Sequence, residues 1–267
     1  MTAWWLAYPL LGVFGGFIAG LFGVGGGLTI VPLLFMLLTA QNFPVEHSLH
    51  LALGTSMATI VFTSIASARS HHAHGAVRWD IVKNFAPGLI VGTLSGSFVA
   101  SLIPTRPLAM AFTAIVYVAG IQMMLDFKPK PQRQLPGPMG MGVAGLSVGL
   151  ISSLVAAGGG FLSIPFMVFC NVVIHQAIGT SAALGFPIAV AGTIGYIVSG
   201  LSASGLPEYS LGYIYFPAFI GVISASFLMA PVGARLAHKL PVKQLKRGFG
   251  GFLALLATKM LHGLLTS

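Results

Sequence analysis

The sequence is short of charge. Only 6% of its 267 residues are Asp, Glu, Lys or Arg, against about 25% in an ordinary soluble domain. A soluble globule of this length needs far more charge to cover its surface, and a hydrophobic content of 56% excludes the disordered classes. Because apolar runs fill nearly the whole chain, we predict an all-α membrane protein, a polytopic helical bundle.

Acidic residues and cysteine are scarcer still. The four acids, Glu46, Asp80, Asp126 and Glu208, fall at segment ends or in loops. A membrane-embedded enzyme would need a nucleophile or paired carboxylates within its apolar segments, so we expect no enzyme, and no cofactor is implied.

The single cysteine, Cys170, cannot form an internal disulfide and is expected to be a buried, inert thiol.

Basic residues outnumber acidic ones and give a net charge of +9. They lie in short loops between apolar runs, which is how membrane proteins encode their orientation. No basic stripe interleaved with aromatic residues is present, so nucleic acid is not an expected partner. His71, His72 and His74 form a small cluster, but no carboxylate or cysteine completes a metal-ligand set. We therefore expect a loop that is solvated or faces the lipid headgroups, and no metal site.

Several apolar segments are long enough to be transmembrane helices, which need about 20 apolar residues. They are residues 49–68, 84–103, 108–125, 174–199, 211–232 and 245–265. Two other apolar stretches, 4–39 and 139–171, are too long for one helix and are interrupted by glycine. A glycine inside a helix costs about 1 kcal/mol relative to alanine, so three together should unwind it.

The two halves of the chain resemble each other. The matching segments are Gly25-Gly26-Gly27 then Pro32 with Gly158-Gly159-Gly160 then Pro165, His50 to Ser56 with His175 to Ser181, and Pro104 to Met123 with Pro241 to Met260. Three matches in the same order indicate a duplicated unit. We predict a first transmembrane repeat at 1–126, a cytoplasmic linker at 127–138 and a second repeat at 139–267. Each repeat is a glycine-broken stretch followed by three spanning helices.

The distribution of basic residues bears on the topology. If each broken stretch crosses the membrane once, Lys and Arg divide almost evenly between the two sides. If each is a re-entrant hairpin, all of them except Arg106 and Lys259 lie on one side. The positive-inside rule prefers the hairpin arrangement. It makes the two units inverted repeats, with the loop at 202–208 outside.

The glycine breaks are the predicted substrate site. An unwound backbone inside a bilayer is tolerated only where it is buried in protein or lines a wet cavity, and inverted repeats with broken helices bind substrate near the midplane. Half-helices starting at Gly27 and Gly160 would direct free N–H groups and positive dipole ends at that point, which favours an anion. The predicted substrate-binding residues are Gly25, Gly26, Gly27, Thr55, Ser56, Gly158, Gly159, Gly160, Thr180 and Ser181.

Each of these residues also has a structural interpretation. The glycines would serve close helix packing, and the hydroxyls would bond to their own helix backbone. His50 and His175 occupy matching positions before the Gly-Thr-Ser segments. They are candidates for proton coupling, because histidine titrates near neutral pH. The alternative is an interfacial histidine at a helix start.

The chain resembles the TauE/SafE family of membrane proteins, often called sulfite exporters. The resemblance rests on Gly20-Leu21-Phe22-Gly23-Val24-Gly25-Gly26-Gly27-Leu28-Thr29-Ile30-Val31-Pro32, on Leu53-Gly54-Thr55-Ser56, and on the second copy of both. It covers essentially the whole chain. The second copy departs from the first, with Ser153-Leu154-Val155-Ala156-Ala157 where the first has Gly20 to Val24, so the two half-sites are expected to contribute unequally.

The resemblance implies a carrier that moves sulfite or an organosulfonate across the bacterial cytoplasmic membrane, with export favoured. Import of a small sulfur-containing or carboxylate anion stays open as an alternative, and an accessory membrane subunit is the alternative of another class. The expected partners are a small anion and membrane lipid. The sequence leaves the oligomeric state open.

Overall fold

The computed structural model describes residues 4–22, 26–125, 132–237 and 242–266. These residues form ten helices and one short antiparallel β-hairpin. The elements are α1 (Trp4–Phe22), α2 (Gly27–Ala40), α3 (Val45–Ala73), α4 (Trp79–Leu102), α5 (Thr105–Met124), α6 (Pro138–Val155), α7 (Gly160–Phe169), α8 (Ile174–Gly200), β1 (Ser210–Leu211), β2 (Ile214–Tyr215), α9 (Phe216–Ala237) and α10 (Val242–Thr266).

The fold is an all-α membrane bundle, as predicted. Among the described residues, six helices are long and apolar enough to cross a membrane, namely α3, α4, α5, α6, α8 and α9. Large apolar side chains such as Leu102, Leu125 and Leu255 are exposed on the outer surface. Exposure of this kind marks a surface that contacts something other than water. In a bundle of membrane-spanning helices, this surface contacts lipid.

Both predicted helix breaks are present. Gly26 and Gly159 adopt left-handed backbone conformations, with φ of 74° and 76°, which glycine accepts without steric cost. The half-helices α2 and α7 begin at Gly27 and Gly160, the positions predicted from sequence. Gly25 lies outside the described residues. A broken pair followed by three helices therefore occurs twice, while the repeat boundaries themselves stay a prediction.

The two halves of the chain are interlocked through glycine-rich helix faces. Helix α1 packs along α9, and α6 packs along α4. Added Cβ atoms on Gly12, Gly16 and Gly20 would meet the backbone of Val222, Ser226 and Ala230 in turn, so α1 and α9 run parallel. Likewise, Gly88 and Gly92 lie against Gly142 and Leu146, so α4 and α6 run parallel. Small residues allow such close approach of backbones in a membrane.

Helices α3 and α8 cross at the centre of the bundle and run antiparallel. Gly54 lies against Tyr196, whereas Gly185, farther back along α8, lies against Ser64. If each broken stretch crossed the membrane once, these two helices would run in the same direction. Their antiparallel course is the one that the hairpin arrangement requires. The inverted-repeat relation stays a prediction that this course supports.

The segment before α9 differs from the sequence prediction. Residues 211–215 were expected to be helical, but they form the turn and strands of the β1–β2 hairpin, and α9 begins at Phe216. Tyr213 and Ile214 are buried because the hairpin lies against α3 and α8. Apolar burial therefore explains their hydropathy as well as a helix would, which is why the helix start was misplaced.

Candidate functional site

The Gly-Thr pair of α3 fixes the β-hairpin. A side chain at Gly54 would overlap the carbonyl oxygen of Tyr213. The adjacent Thr55 hydroxyl accepts a hydrogen bond from the Tyr215 N–H at 3.0 Å. Both threonine and glycine are buried, so this part of the motif holds the loop that leads into α9.

The Gly-Thr pair of α8 holds the matching loop of the first half. A side chain at Gly179 would lie 2.6 Å from the carbonyl oxygen of Ala76. The Thr180 hydroxyl accepts from the Arg78 N–H at 3.0 Å, just before α4 begins. The sequence match between the two motifs therefore corresponds to a match in contacts. A hydroxyl that accepts still has a proton to donate, so Thr55 and Thr180 stay predicted ligands.

The two serines that follow differ in their hydrogen bonding. Ser181 accepts a hydrogen bond from the Ser163 hydroxyl of α7 at 3.0 Å. Ser56 is fully buried, and its Oγ has no hydrogen-bond partner among the described residues. Ile30 holds the place in α2 that Ser163 holds in α7 by the repeat alignment, so the equivalent bond cannot form.

The two breaks meet inside the bundle. A side chain at Gly27, the first residue of α2, would overlap the carbonyl oxygen of Ala156 and would lie 3.1 Å from Ile60. Ile60 is near the middle of α3, so α2 begins well inside the protein. Ala156 closes α6 with a φ of 46°, a left-handed conformation that is uncommon for a residue other than glycine.

The start of α7 is equally deep. An added Cβ on Gly185, near the middle of α8, would lie 3.6 Å from the carbonyl oxygen of Gly158. One on Gly159 would lie 3.6 Å from the Oγ of Ser152. Ser152 is fully buried and its Oγ has no hydrogen-bond partner among the described residues.

A cavity of about 410 Å³ reaches the second break. It extends from Ser70, His71 and His74 near the end of α3 inward to Gly158 and Ser181. Its walls also include the C-terminal end of α1 and the later part of α9. Of the predicted substrate-binding residues, the cavity lining includes Gly158 and Ser181.

Sequence reasoning missed the polar stripe on α3 that lines this cavity. The stripe consists of Thr63, Ser64, Ser67 and Ser70. Their spacing of three and four residues places them on one face of a helix, and they interrupt an otherwise apolar span. That periodicity was the available signal. Only hydroxyls that are duplicated between the two halves were predicted to bind substrate.

The opposite half of the α3–α8 crossing is closed. The Met57 side chain fills the space beside Gly192, with its Sδ 2.9 Å from an added Cβ. Tyr196 is fully buried, and its hydroxyl donates to the carbonyl oxygen of Ser153 at 2.8 Å. The β-hairpin covers this half, and burial raises the pKa of the Tyr213 phenol.

The two candidate coupling histidines occupy different surroundings. His50 is buried in the closed half, where its Nε2 lies 3.1 Å from the carbonyl oxygen of Ala100 and its ring stacks on Tyr213. Its Nδ1 has no hydrogen-bond partner among the described residues. His175 is exposed. The pair is thus matched in sequence but not in environment.

The end of α3, the start of α4 and the loop between them form a polar surface, and His71 and His72, which were expected in a loop, belong to the last turn of α3. The Trp79 indole donates to His72 at 3.2 Å, and His74 bonds the Ser70 carbonyl. An exposed ion pair joins Arg78 to Asp80, and the hydrogen bond between them raises the pKa of Arg78. In the part of the chain that the structure describes, no group of three or more His, Cys, Asp or Glu residues could hold a metal ion.

The Gly-x-Ser-x-Gly motif at Gly145, Ser147 and Gly149 does not form the nucleophile elbow of a hydrolase. It lies within α6, where Ser147 is exposed and its hydroxyl donates to the Val143 carbonyl. Both glycines instead admit the backbone of α4. A nucleophile elbow needs a sharp turn from strand to helix, which is not the local structure here.

A polytopic bundle with two half-helices that begin in its interior, and with a cavity that reaches one of these breaks, is the architecture of a membrane transporter. The chain belongs to the TauE/SafE family: the family's sequence model, described as "Sulfite exporter TauE/SafE", matches residues 8–260. The sequence-based assignment is confirmed, and the chain is a multi-pass protein of the cytoplasmic membrane, as predicted.

The curated relatives are also membrane transporters. A "Probable membrane transporter protein" of Haemophilus influenzae is 39% identical, covering 94% of this chain and 96% of its own length. YdhB of Bacillus subtilis is 27% identical over 86% of this chain and 89% of its own. MJ0441 of Methanocaldococcus jannaschii is 23% identical over 96% of both. No solved structure gives a significant match.

Proposed function

We propose that this transporter is a secondary carrier of a small anion, sulfite or an organosulfonate, and that it works by alternating access. The observation that carries the proposal is the pair of half-helix starts, Gly27 and Gly160, deep in the bundle, together with a cavity that reaches Gly158 just before the second of them. The first N–H groups of a helix have no intrahelical acceptor, and the dipole there favours negative charge. Neither half-helix needs a buried cationic side chain to attract an anion.

The open cavity provides the cytoplasmic loading site that export requires. The cavity opens beside the end of α3, where the end of α3, the following loop and the start of α4 carry Arg69, Arg78 and Lys83. The positive-inside rule places such a basic segment in the cytoplasm. A substrate that leaves the cell would load from this side, and the basic residues near the mouth would raise the local concentration of anions.

The duplicated contacts support alternating access. The closed half and the open half are built from corresponding parts of α3 and α8, and the loops before α4 and α9 are held by equivalent Thr–N–H bonds. Transporters with inverted repeats exchange the two arrangements around a fixed site. In this proposal the exchange opens the half that Tyr196 and Met57 close.

In the same proposal, the transport of the anion is coupled to a proton. His50 is the better candidate of the two histidines, because it is buried beside the closed half while His175 is exposed. A proton taken up at His50 would act on the packing of Tyr213, on which the His50 ring stacks with centroids 5.0 Å apart.

Transport by purified protein in liposomes tests the proposal. Vesicles are loaded with sulfite, sulfoacetate, taurine, thiosulfate, sulfate or acetate, and efflux is followed with and without a pH gradient. Saturable efflux of sulfite or a sulfonate, absent from protein-free vesicles, is the expected result. Saturable uptake of these anions without efflux would favour the importer alternative. Folded protein that moves none of them would overturn the proposal.

A further inference from the structure

Tyr213 lies in the turn of the β-hairpin, held between α3 and α8. A side chain at Gly54 of α3 would overlap the Tyr213 carbonyl oxygen, and one at Gly200 of α8 would overlap its backbone nitrogen. The Tyr213 N–H also donates to the carbonyl oxygen of Tyr196 in α8 at 3.1 Å. The backbones of both helices therefore hold the turn, and they fix the position of the Tyr213 ring.

Ala76 is the equivalent residue in the loop between α3 and α4. A Cβ on Gly179 of α8 would lie 2.6 Å from the Ala76 carbonyl oxygen, and the Ala76 N–H donates to the carbonyl oxygen of His71 in α3 at 3.0 Å. Two residues later in each loop, an N–H donates to the threonine of a Gly-Thr pair. These three equivalent contacts place Ala76 and Tyr213 at matching positions of the two halves.

The side chains at the two matching positions differ. The Tyr213 ring is buried and stacks on His50 of α3, with centroids 5.0 Å apart. It also contacts the rings of His47, at 6.1 Å, and Tyr196, at 6.5 Å. Aromatic pairs at such distances stabilise a packed arrangement beyond the burial of their area. Ala76 is half-buried and brings only a methyl group to the equivalent place.

We infer that Tyr213 is the gate residue of the closed half, and that its ring makes the state open on the cavity side the resting state of the transporter. The inference rests on the proposed function, because a carrier has to open to both sides in turn. Two substitutions should then shift the population in the same direction. Tyr213→Ala weakens closure on the hairpin side, and Ala76→Tyr strengthens closure on the cavity side.

Two cysteine reporters in a Cys170→Ser background follow the two states. Ser97 is fully buried in the closed half, where its Cβ lies 2.6 Å from the Cβ position of Gly195. Ser67 lines the cavity. The rate at which a hydrophilic maleimide labels purified protein is measured separately for Ser97→Cys and Ser67→Cys, with the melting temperature of each variant as a check of folding.

Tyr213→Ala should raise the labelling rate of Ser97→Cys at least about tenfold, because a buried ring contributes more than the free energy of a tenfold shift. It should also slow the labelling of Ser67→Cys. Tyr213→Phe keeps the ring and should label like the parent. Tyr209→Ala is the matched control: it removes a tyrosine that is 75% exposed just before the hairpin, and it should leave both rates unchanged.

Ala76→Tyr tests the gate position without removing any contact, and it decides the question if Tyr213→Ala does not fold. The added ring should slow labelling of Ser67→Cys several-fold. Ala73→Tyr adds the same ring at an exposed position at the end of α3 and should have no such effect.

The remaining outcomes separate the gate from the transport function. Unchanged labelling of both reporters in folded Tyr213→Ala would overturn the gate. Faster labelling of Ser97→Cys with unchanged Ser67→Cys would show a local opening, and would overturn the assignment of the resting state. The labelling needs no substrate. A protein that responds as expected but moves none of the anions in liposomes would therefore overturn the proposed anion transport and not the gate.

Discussion

The two halves of the α3–α8 crossing have corresponding backbones, but one half is closed and the other is open to the cavity. On the repeat alignment, Tyr196 of α8 corresponds to His71 of α3, and Met57 of α3 corresponds to Ala182 of α8. In one half Tyr196 and Met57 fill the space between the helices. In the other half His71 and Ala182 line the cavity.

The backbone contacts of the two halves are nearly the same. The Tyr213 N–H donates to the Tyr196 carbonyl at 3.1 Å, and the Ala76 N–H donates to the His71 carbonyl at 3.0 Å. Side-chain volume is therefore one difference between the closed half and the open half. Two large side chains fill the space between the helices in one half, and the corresponding smaller ones line the cavity in the other.

Removing the largest side chain from the closed half should have the largest effect. Replacing a buried aromatic ring by alanine costs about 3–5 kcal/mol, so Tyr196→Ala should lower the melting temperature strongly and open a second cavity. Accessibility of a cysteine placed at Ser97, in a Cys170→Ser background, to a membrane-impermeant reagent would report the opening. Tyr196→Phe, which loses only the bond to Ser153, is the control. An inaccessible Ser97→Cys in a folded Tyr196→Ala protein would contradict the comparison.

The loop bonds should be equally important in the two halves. Thr55→Val and Thr180→Val each leave a backbone N–H without its acceptor, which costs about 1–3 kcal/mol. Both should therefore reduce thermal stability by similar amounts. Thr55→Ser and Thr180→Ser keep the hydroxyl and should restore most of the stability. A marked difference between the two valine variants would show that the halves are less alike than their contacts suggest.

Transferring the methionine to the open half should close it. Ala182→Met fills part of the cavity next to Ser181, so we expect transport to fall at least tenfold while the melting temperature changes little. Ala183→Met, at the neighbouring buried position that does not line the cavity, controls for added volume. Wild-type transport rates in Ala182→Met liposomes would show that the cavity is not on the substrate path.

The smallest effect is expected at the mouth of the open half. The Arg78–Asp80 ion pair is 39% and 58% exposed, and exposed pairs contribute at most about 1 kcal/mol. Asp80→Asn should therefore shift thermal stability only slightly, and less in high salt than in low salt. A loss comparable to that of the threonine variants would show that the pair is structurally important.

Much of the fold could be predicted because helix breaks and membrane spans depend on the local sequence, through its glycines and its hydropathy. The starts of α2 and α7 follow directly from the glycine runs at Gly26 and Gly159. The hairpin before α9 could not be predicted, because Tyr213 and Ile214 are buried by tertiary contacts that hydropathy cannot separate from a membrane span.

The site was predicted only in outline for a similar reason. Duplication drew attention to Thr55 and Thr180, whose hydroxyls hold loops. Thr63, Ser64, Ser67 and Ser70 of α3 line the cavity, but the corresponding positions of α8 carry no hydroxyl group. Residues of this kind are not revealed by looking for what the two halves share.

The pairing of α1 with α9 has a consequence for how the protein is made. The glycine face of α1, at Gly12, Gly16 and Gly20, packs on a helix near the other end of the chain. Membrane helices insert in order as they are synthesised, so α1 enters the bilayer long before its partner exists. The nascent N-terminal half must therefore remain in the membrane with that face on lipid or on an insertion factor. The contact between α1 and α9 forms only after α9 has been synthesised.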